Sequence, residues 1–185
     1  MFKTRGGASL LALALMVTTS MTARPAVARS FADIDRDVNA TLAKLDATVP
    51  DARPLAKQAK AILVFPSIVK AGFLFGAQYG EGALRRQGKS IGYYNSVAAS
   101  YGLQAGVQTF GYVLFFMTDS ALRYLDETGG FEIGLGPSIV VLDVGKAKAL
   151  TTTTIQSEIY AFIFDQTGLM AGLGLQGSKI SRIDR

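Results

Sequence analysis

The chain of 185 residues contains neither histidine nor cysteine. Without histidine, the usual general base at neutral pH, the Ser-His-Asp arrangement and His-ligated zinc are excluded. Without cysteine, thiolate nucleophiles, thiolate metal sites and disulfides go as well. Chemistry would fall to carboxylates, Lys, Tyr or Ser. Asp119 and the pair Asp126-Glu127 come closest to paired carboxylates. Neighbours on a short helix form a solvated face or a cap, and nothing in their spacing sets them across a pocket. Ser178 and Lys179 are adjacent, so in a strand their side chains part to opposite faces. Gly172-Leu-Gly174-Leu-Gln-Gly177 matches G-x-G-x-x-G. A dinucleotide fingerprint needs a helix after the glycines and an acid about 20 residues on, and no such pattern follows. The expectation is a non-enzymatic protein with no metal and no cofactor.

The cations carry more. Lys57, Lys60 and Lys70 flank one apolar run, Arg85, Arg86 and Lys89 fall in a polar turn, and Lys179, Arg182 and Arg185 follow the last glycine-rich stretch. If these turns converge, they make a basic rim able to meet anionic lipid headgroups or an acidic protein surface. Lys70, Arg85, Arg86, Lys89, Lys179 and Arg182 are the headgroup candidates. Ordinary solubility charge explains any single one equally well. Phe73, Phe75 and Tyr79 share one parity and would line an apolar site or the core.

The net charge of +5 overstates the basicity. Lys3 and Arg5 precede an apolar run, Ala8 to Val17, and Ala26-Val27-Ala28 has the small residues of a cleavage site. That is the grammar of a secretory signal peptide, and the run is short of the ~20 residues a spanning helix needs. Residues 1–28 are expected to be a leader and 29–185 one domain, exported to the periplasm or beyond. The leader holds three cations and no acid, leaving 16 basic against 14 acidic residues, or +2. Nucleic-acid binding loses its electrostatic footprint.

The elements that must position these residues follow from periodicity. Phe31, Ile34, Val38, Leu42 and Leu45 recur at helical steps after the N-cap residue Ser30, and Pro50 ends the pattern. A shorter helix is expected over 51–60. Ala61 to Phe65 reads as a buried strand ending at Pro66, with further strands at 71–84, 91–94, 101–108, 112–117 and 131–142. Thr118-Asp119 caps a short helix that Gly129-Gly130 ends. Ile159 to Phe164 and Leu169 to Leu175 read as a hairpin turning at 165–168.

Glycines recur on one parity within 72–82, 102–106, 134–136 and 168–174, opposite apolar side chains. Each costs a strand about 0.5–1 kcal/mol relative to alanine. Several on one face predict sharp bending or close backbone approach.

Four segments together carry a resemblance: AKAILVFPSIVKAGFLFGAQYGEGAL (59–84), GLQAGVQ (102–108), LFFMTDSALRYL (114–125) and GLMAGLGLQGSKI (168–180). In order and spacing they resemble the SYLF domain family, which includes exported bacterial proteins, a yeast actin regulator and plant FYVE-containing proteins. The resemblance covers the chain from about residue 31 and implies lipid binding without enzymatic activity. Phosphoinositides are the ligands of eukaryotic members and actin belongs to the fungal branch. An exported chain would meet neither, so acidic phospholipid or another amphiphile is the expected ligand. Gln166-Thr167-Gly168 departs from the family where a lysine often precedes the glycine, and the first helix is less basic than in animal members.

The expected fold is α+β: two N-terminal helices and a short internal helix packed on a strongly curved, mostly antiparallel sheet or partial barrel. The expected partner is a lipid or membrane surface; the alternative is an envelope scaffold using the same basic rim on an acidic protein.

Overall fold

The computed structural model describes residues 29–101, 105–133, 135–142, 156–168 and 178–184. The expected leader, Gly102, Gly134, the second arm of the 159–175 hairpin and the Gly172–Gly177 motif lie outside the described residues.

The first helix, α1 (Phe31–Thr48), begins where Ser30 accepts a hydrogen bond from the Asp33 N–H. Its buried stripe is Ile34, Val38, Thr41 and Leu45, the spacing of one helix face. Pro50 opens a 3₁₀ turn (Pro50–Ala52) that leads into α2 (Arg53–Gln58). The second expected helix is therefore split in two, with Pro54 in the first turn of α2.

The strands are β1 (Ala61–Gly72), β2 (Phe75–Arg86), β3 (Lys89–Tyr101), β4 (Gly106–Phe116), β5 (Gly130–Glu132), β6 (Ile139–Leu142), β7 (Ile159–Gly168) and β8 (Lys179–Arg182). They form one sheet in the order β5-β8-β3-β2-β1-β4-β7-β6. Every pairing is antiparallel except β6 with β7. The sheet curls strongly into a half-barrel, and the α+β expectation holds.

Five strand expectations need correction. The pieces at 101–108 and 112–117 are not separate, since β4 runs unbroken from Gly106 to Phe116. β1 does not stop at Pro66. Its register shifts between Val64 and Ser67 against β2, and between Phe65 and Ile68 against β4. Pro66 thus sits in a bulge, the one place a central strand tolerates a residue with no N–H. The stretch 71–84 is not one strand either: β1 ends at Gly72, Phe73-Leu74 turn, and Gly72 pairs with Gly76 across the hairpin. A Cβ on Gly72 would lie 2.5 Å from the Gly76 Cα, so two of the aligned glycines mark close backbone approach. The turn read at 165–168 lies within β7, which shifts register there against β4 and carries Asp165 at φ 56°. That is a bulge, not a hairpin turn. Finally, 131–142 is two short strands separated by an irregular segment, and Gly136 stands in that segment rather than on a strand face.

The core has two layers, one on each sheet face. One face presents Leu63, Phe65, Leu84, Tyr94, Tyr112, Leu114, Phe116 and Ile180 to each other and to α3 (Asp119–Thr128), which contributes Ala121, Leu122 and Leu125. The other presents Val64, Ala83, Val113, Phe115, Tyr160 and Phe162 to the α1 stripe and to Leu55 of α2. Alternate residues of one strand feed alternate layers, as a sheet covered on both faces requires.

Candidate functional site

The six cations expected to form one rim are divided between the two ends of the sheet. Lys70 lies near the β1–β2 turn, opposite Gln78 and Gln108. Lys179 of β8 pairs with Val97 of β3, which pairs with Tyr79 of β2. Arg85, Arg86 and Lys89 flank the β2–β3 turn at the other end. Seven residues of β2 separate Gln78 from Arg85, about 23 Å at strand rise. Arg182 pairs with Tyr94 part-way between and forms an ion pair with Asp184 at 3.7 Å.

At the first end the three apolar candidates come together with others. Phe73 and Phe75 are 72% and 73% exposed on either side of the exposed Leu74. β2 keeps strict alternation here, so Phe75, Ala77 and Tyr79 share one face, and Val69, Tyr79 and Val97 form a cross-strand row on it. Val69, Tyr79, Val97 and, from β4, Val107 are all exposed. α1 covers the same face only as far as Val64 and Ala83. The aromatic parity is thus surface, not core. Tyr79 donates to Glu81 Oε1 at 2.8 Å, which satisfies that carboxylate although Glu81 is buried.

Arg85 is no free headgroup contact. Its guanidinium donates to Asn39 Oδ1 at 2.9 Å, Ser90 Oγ at 2.9 Å and the Gly88 carbonyl at 2.6 Å, and lies 3.6 Å from Asp35. Its side chain is 14% exposed. Asp35 also accepts from Ser90 and from the Tyr93 hydroxyl, so one acid of α1 fastens the helix to β3 and, through Arg85, to β2. Burial, then the Asp35 carboxylate, raise the Tyr93 hydroxyl above the ordinary tyrosine range. Phe31 stacks on the Tyr93 ring at 3.8 Å, beside a cleft of about 330 Å³ that Arg182 and Asp184 also line. Arg86 and Lys89 are exposed, with no ion pair among the described residues.

Residues 97–184 match the family model described as Ysc84, Las17-binding protein actin regulator. That match covers just under half of the chain and supports its resemblance to the SYLF domain family. Protein YSC84 of Saccharomyces cerevisiae is 28% identical over 132 residues, which make up 67% of this chain and 28% of the yeast protein. The chain therefore spans little more than a quarter of that relative. The family-model match takes in Lys179 and Arg182, while Lys70, Phe73, Phe75, Tyr79, Arg85, Arg86 and Lys89 precede it.

Sequence reasoning missed Leu74, Val69, Val97 and Val107 as surface residues, and Asp35, Asn39 and Ser90 as the partners of Arg85. Position alone hid the first group, because an apolar strand face reads as core until its cover is known. Asp35 carried a signal, an acid at one helical turn from Phe31 and Asn39.

Proposed function

We propose that this SYLF domain is a non-enzymatic binder of lipid surfaces that docks on acidic phospholipid in an exported setting. The observation that carries the reading is the protruding Phe73-Leu74-Phe75 turn, continuous with the exposed row Val69, Tyr79 and Val97. Exposed apolar patches of this kind mark interaction surfaces. A convex tip of three large apolar residues suits a bilayer, which yields to it. Lys70 and Lys179 stand on the flanking strand positions, and a lysine near an anionic surface is worth about 1 kcal/mol. The lack of His and Cys supports a binding role, and the leader pattern supports export. Actin regulation is a description of the family model, and an exported domain would not meet actin.

The test is co-sedimentation of the protein, freed of its leader, with phosphatidylcholine vesicles with and without phosphatidylglycerol. Binding that rises with phosphatidylglycerol is expected; no binding to either overturns the reading. The exposed Arg86 and Lys89 at the opposite end favour a second reading, a scaffold meeting an acidic protein. Salt-sensitive capture of one protein without lipid dependence would support it.

A further inference from the structure

Beyond the hairpin tip, the other end of β1 carries two hollows side by side. One, of about 520 Å³, is walled by Lys57, Lys60, Arg85 and Arg86 and has no carboxylate in its lining. The other, of about 240 Å³, lies between α1 and α2 over Leu45, Val49, Ala52 and Phe115. Its two charged residues, Asp46 and Arg53, satisfy each other at 2.5 Å, which leaves the wall apolar. Leu42, Ala56 and Ile62 line both hollows.

The charges of the larger hollow are unevenly committed. Arg85 is fastened to α1, and Lys60 lies 3.7 Å from Asp119. Lys57 and Arg86 are exposed and have no ion pair among the described residues. Cations with no such pair beside an apolar hollow form a head-and-tail arrangement.

We propose that the paired hollows bind a single-chain anionic amphiphile, its acid group among Lys57, Lys60 and Arg86 and its chain entering between α1 and α2. Charge complementarity selects an anion. The apolar hollow is below the usual 300–1,000 Å³ of small-molecule pockets, room for one chain and not for a diacyl lipid. A chain laid there would cover Leu42 and Ile62, which are only half-buried. The twelve residues of β1 set this site on the order of 35 Å from the Phe73 turn. It is therefore independent of the bilayer contact.

The experiment is calorimetric titration of the full chain with dodecanoate below its micelle concentration, beside dodecyl maltoside and inorganic phosphate. One dodecanoate per chain is expected, bound at least about tenfold more tightly than either control. Lys57→Glu with Arg86→Glu should weaken it by about tenfold or more, and Ala56→Trp, at an exposed helix position, should block the chain. Unchanged melting temperatures establish that the variants fold. Absent binding, equal binding of dodecyl maltoside or phosphate, or dodecanoate binding indifferent to the charge reversals overturns the proposal. Phe73→Ser with Phe75→Ser should leave dodecanoate binding intact, and Ala56→Trp should leave vesicle binding intact, so each site is tested separately.

Discussion

Gly82 and Val64 meet backbone against backbone: a Cβ placed on Gly82 would lie 2.0 Å from the Val64 carbonyl oxygen. The contact is made by the bulge at Pro66, which brings β1 over β2 between the Val64–Ala83 and Ser67–Glu81 pairs. The nearest atom is main chain, so no side-chain rotation relieves the clash. Gly82→Ala is expected to destabilise the fold by about 3 kcal/mol or more, the upper range of overpacking. Urea unfolding measures it.

Arg85 and Arg86 are neighbours with opposite duties. Arg85→Ala removes donors from Asn39, Ser90 and Gly88, and should cost about 2 kcal/mol as the α1 anchor loosens. Arg85→Lys should not restore it, because a point charge cannot reproduce the fork. Arg86→Ala should change stability by no more than about 0.5 kcal/mol. Chemical denaturation separates the three.

The Tyr112 hydroxyl is buried with no hydrogen-bond partner among the described residues. Tyr112→Phe is therefore expected to be neutral or to stabilise by about 1 kcal/mol. A melting-temperature comparison decides it, and a clear loss would show that the hydroxyl has a partner in solution.

Alkaline pH should act through the same residue. Burial alone lifts the Tyr112 hydroxyl far above the ordinary tyrosine range, and burial is the first cause of the upward shifts of Tyr93 and Tyr94. In the unfolded chain these groups lose their protons near pH 10. The folded chain then holds more protons, so its stability is full below about pH 10 and falls as pH rises beyond it, toward the folded pKa values. For Tyr112 the slope is about 1.4 kcal/mol per pH unit. Denaturation between pH 8 and 11 should show the fall, less steep in Tyr112→Phe.

Replacing both aromatics of the turn, Phe73→Ser with Phe75→Ser, should reduce vesicle binding by about tenfold or more and leave stability within about 0.5 kcal/mol. Both side chains are exposed, so their loss opens no cavity. Lys70→Glu with Lys179→Glu should cut only the part of binding that depends on phosphatidylglycerol.

Helical periodicity made α1 and α3 legible almost to the residue, because caps and apolar spacing agree at Ser30 and Thr118. Strand boundaries were less legible where local chemistry pointed one way and the sheet the other. Pro66 is a strand breaker by rule, and a bulge absorbs it. Asp165 to Gly168 has turn composition, and β7 carries it as a bulge against β4. The glycine parity predicted close approach correctly at Gly72 and Gly82, yet across 71–84 it missed a turn. The candidate cations were recognisable as residues but not as a group, since their separation depends on strand direction. Which apolar face α1 leaves uncovered is a tertiary fact that no periodicity holds.

The place of β8 has a consequence for how the protein comes to be made. β3 is complete by Tyr101, but its outer edge is paired at Tyr94–Val97 by residues 179–182, almost eighty positions later in the chain. β5 in turn pairs with β8 and, among the described residues, does not pair with β3. A chain emerging from a ribosome or a translocation pore thus holds an unpaired strand edge beside Val97 until residues 179–182 have arrived. Such an edge is a template for pairing with another chain, so a folding helper that shields it during synthesis or transit would act on this strand first.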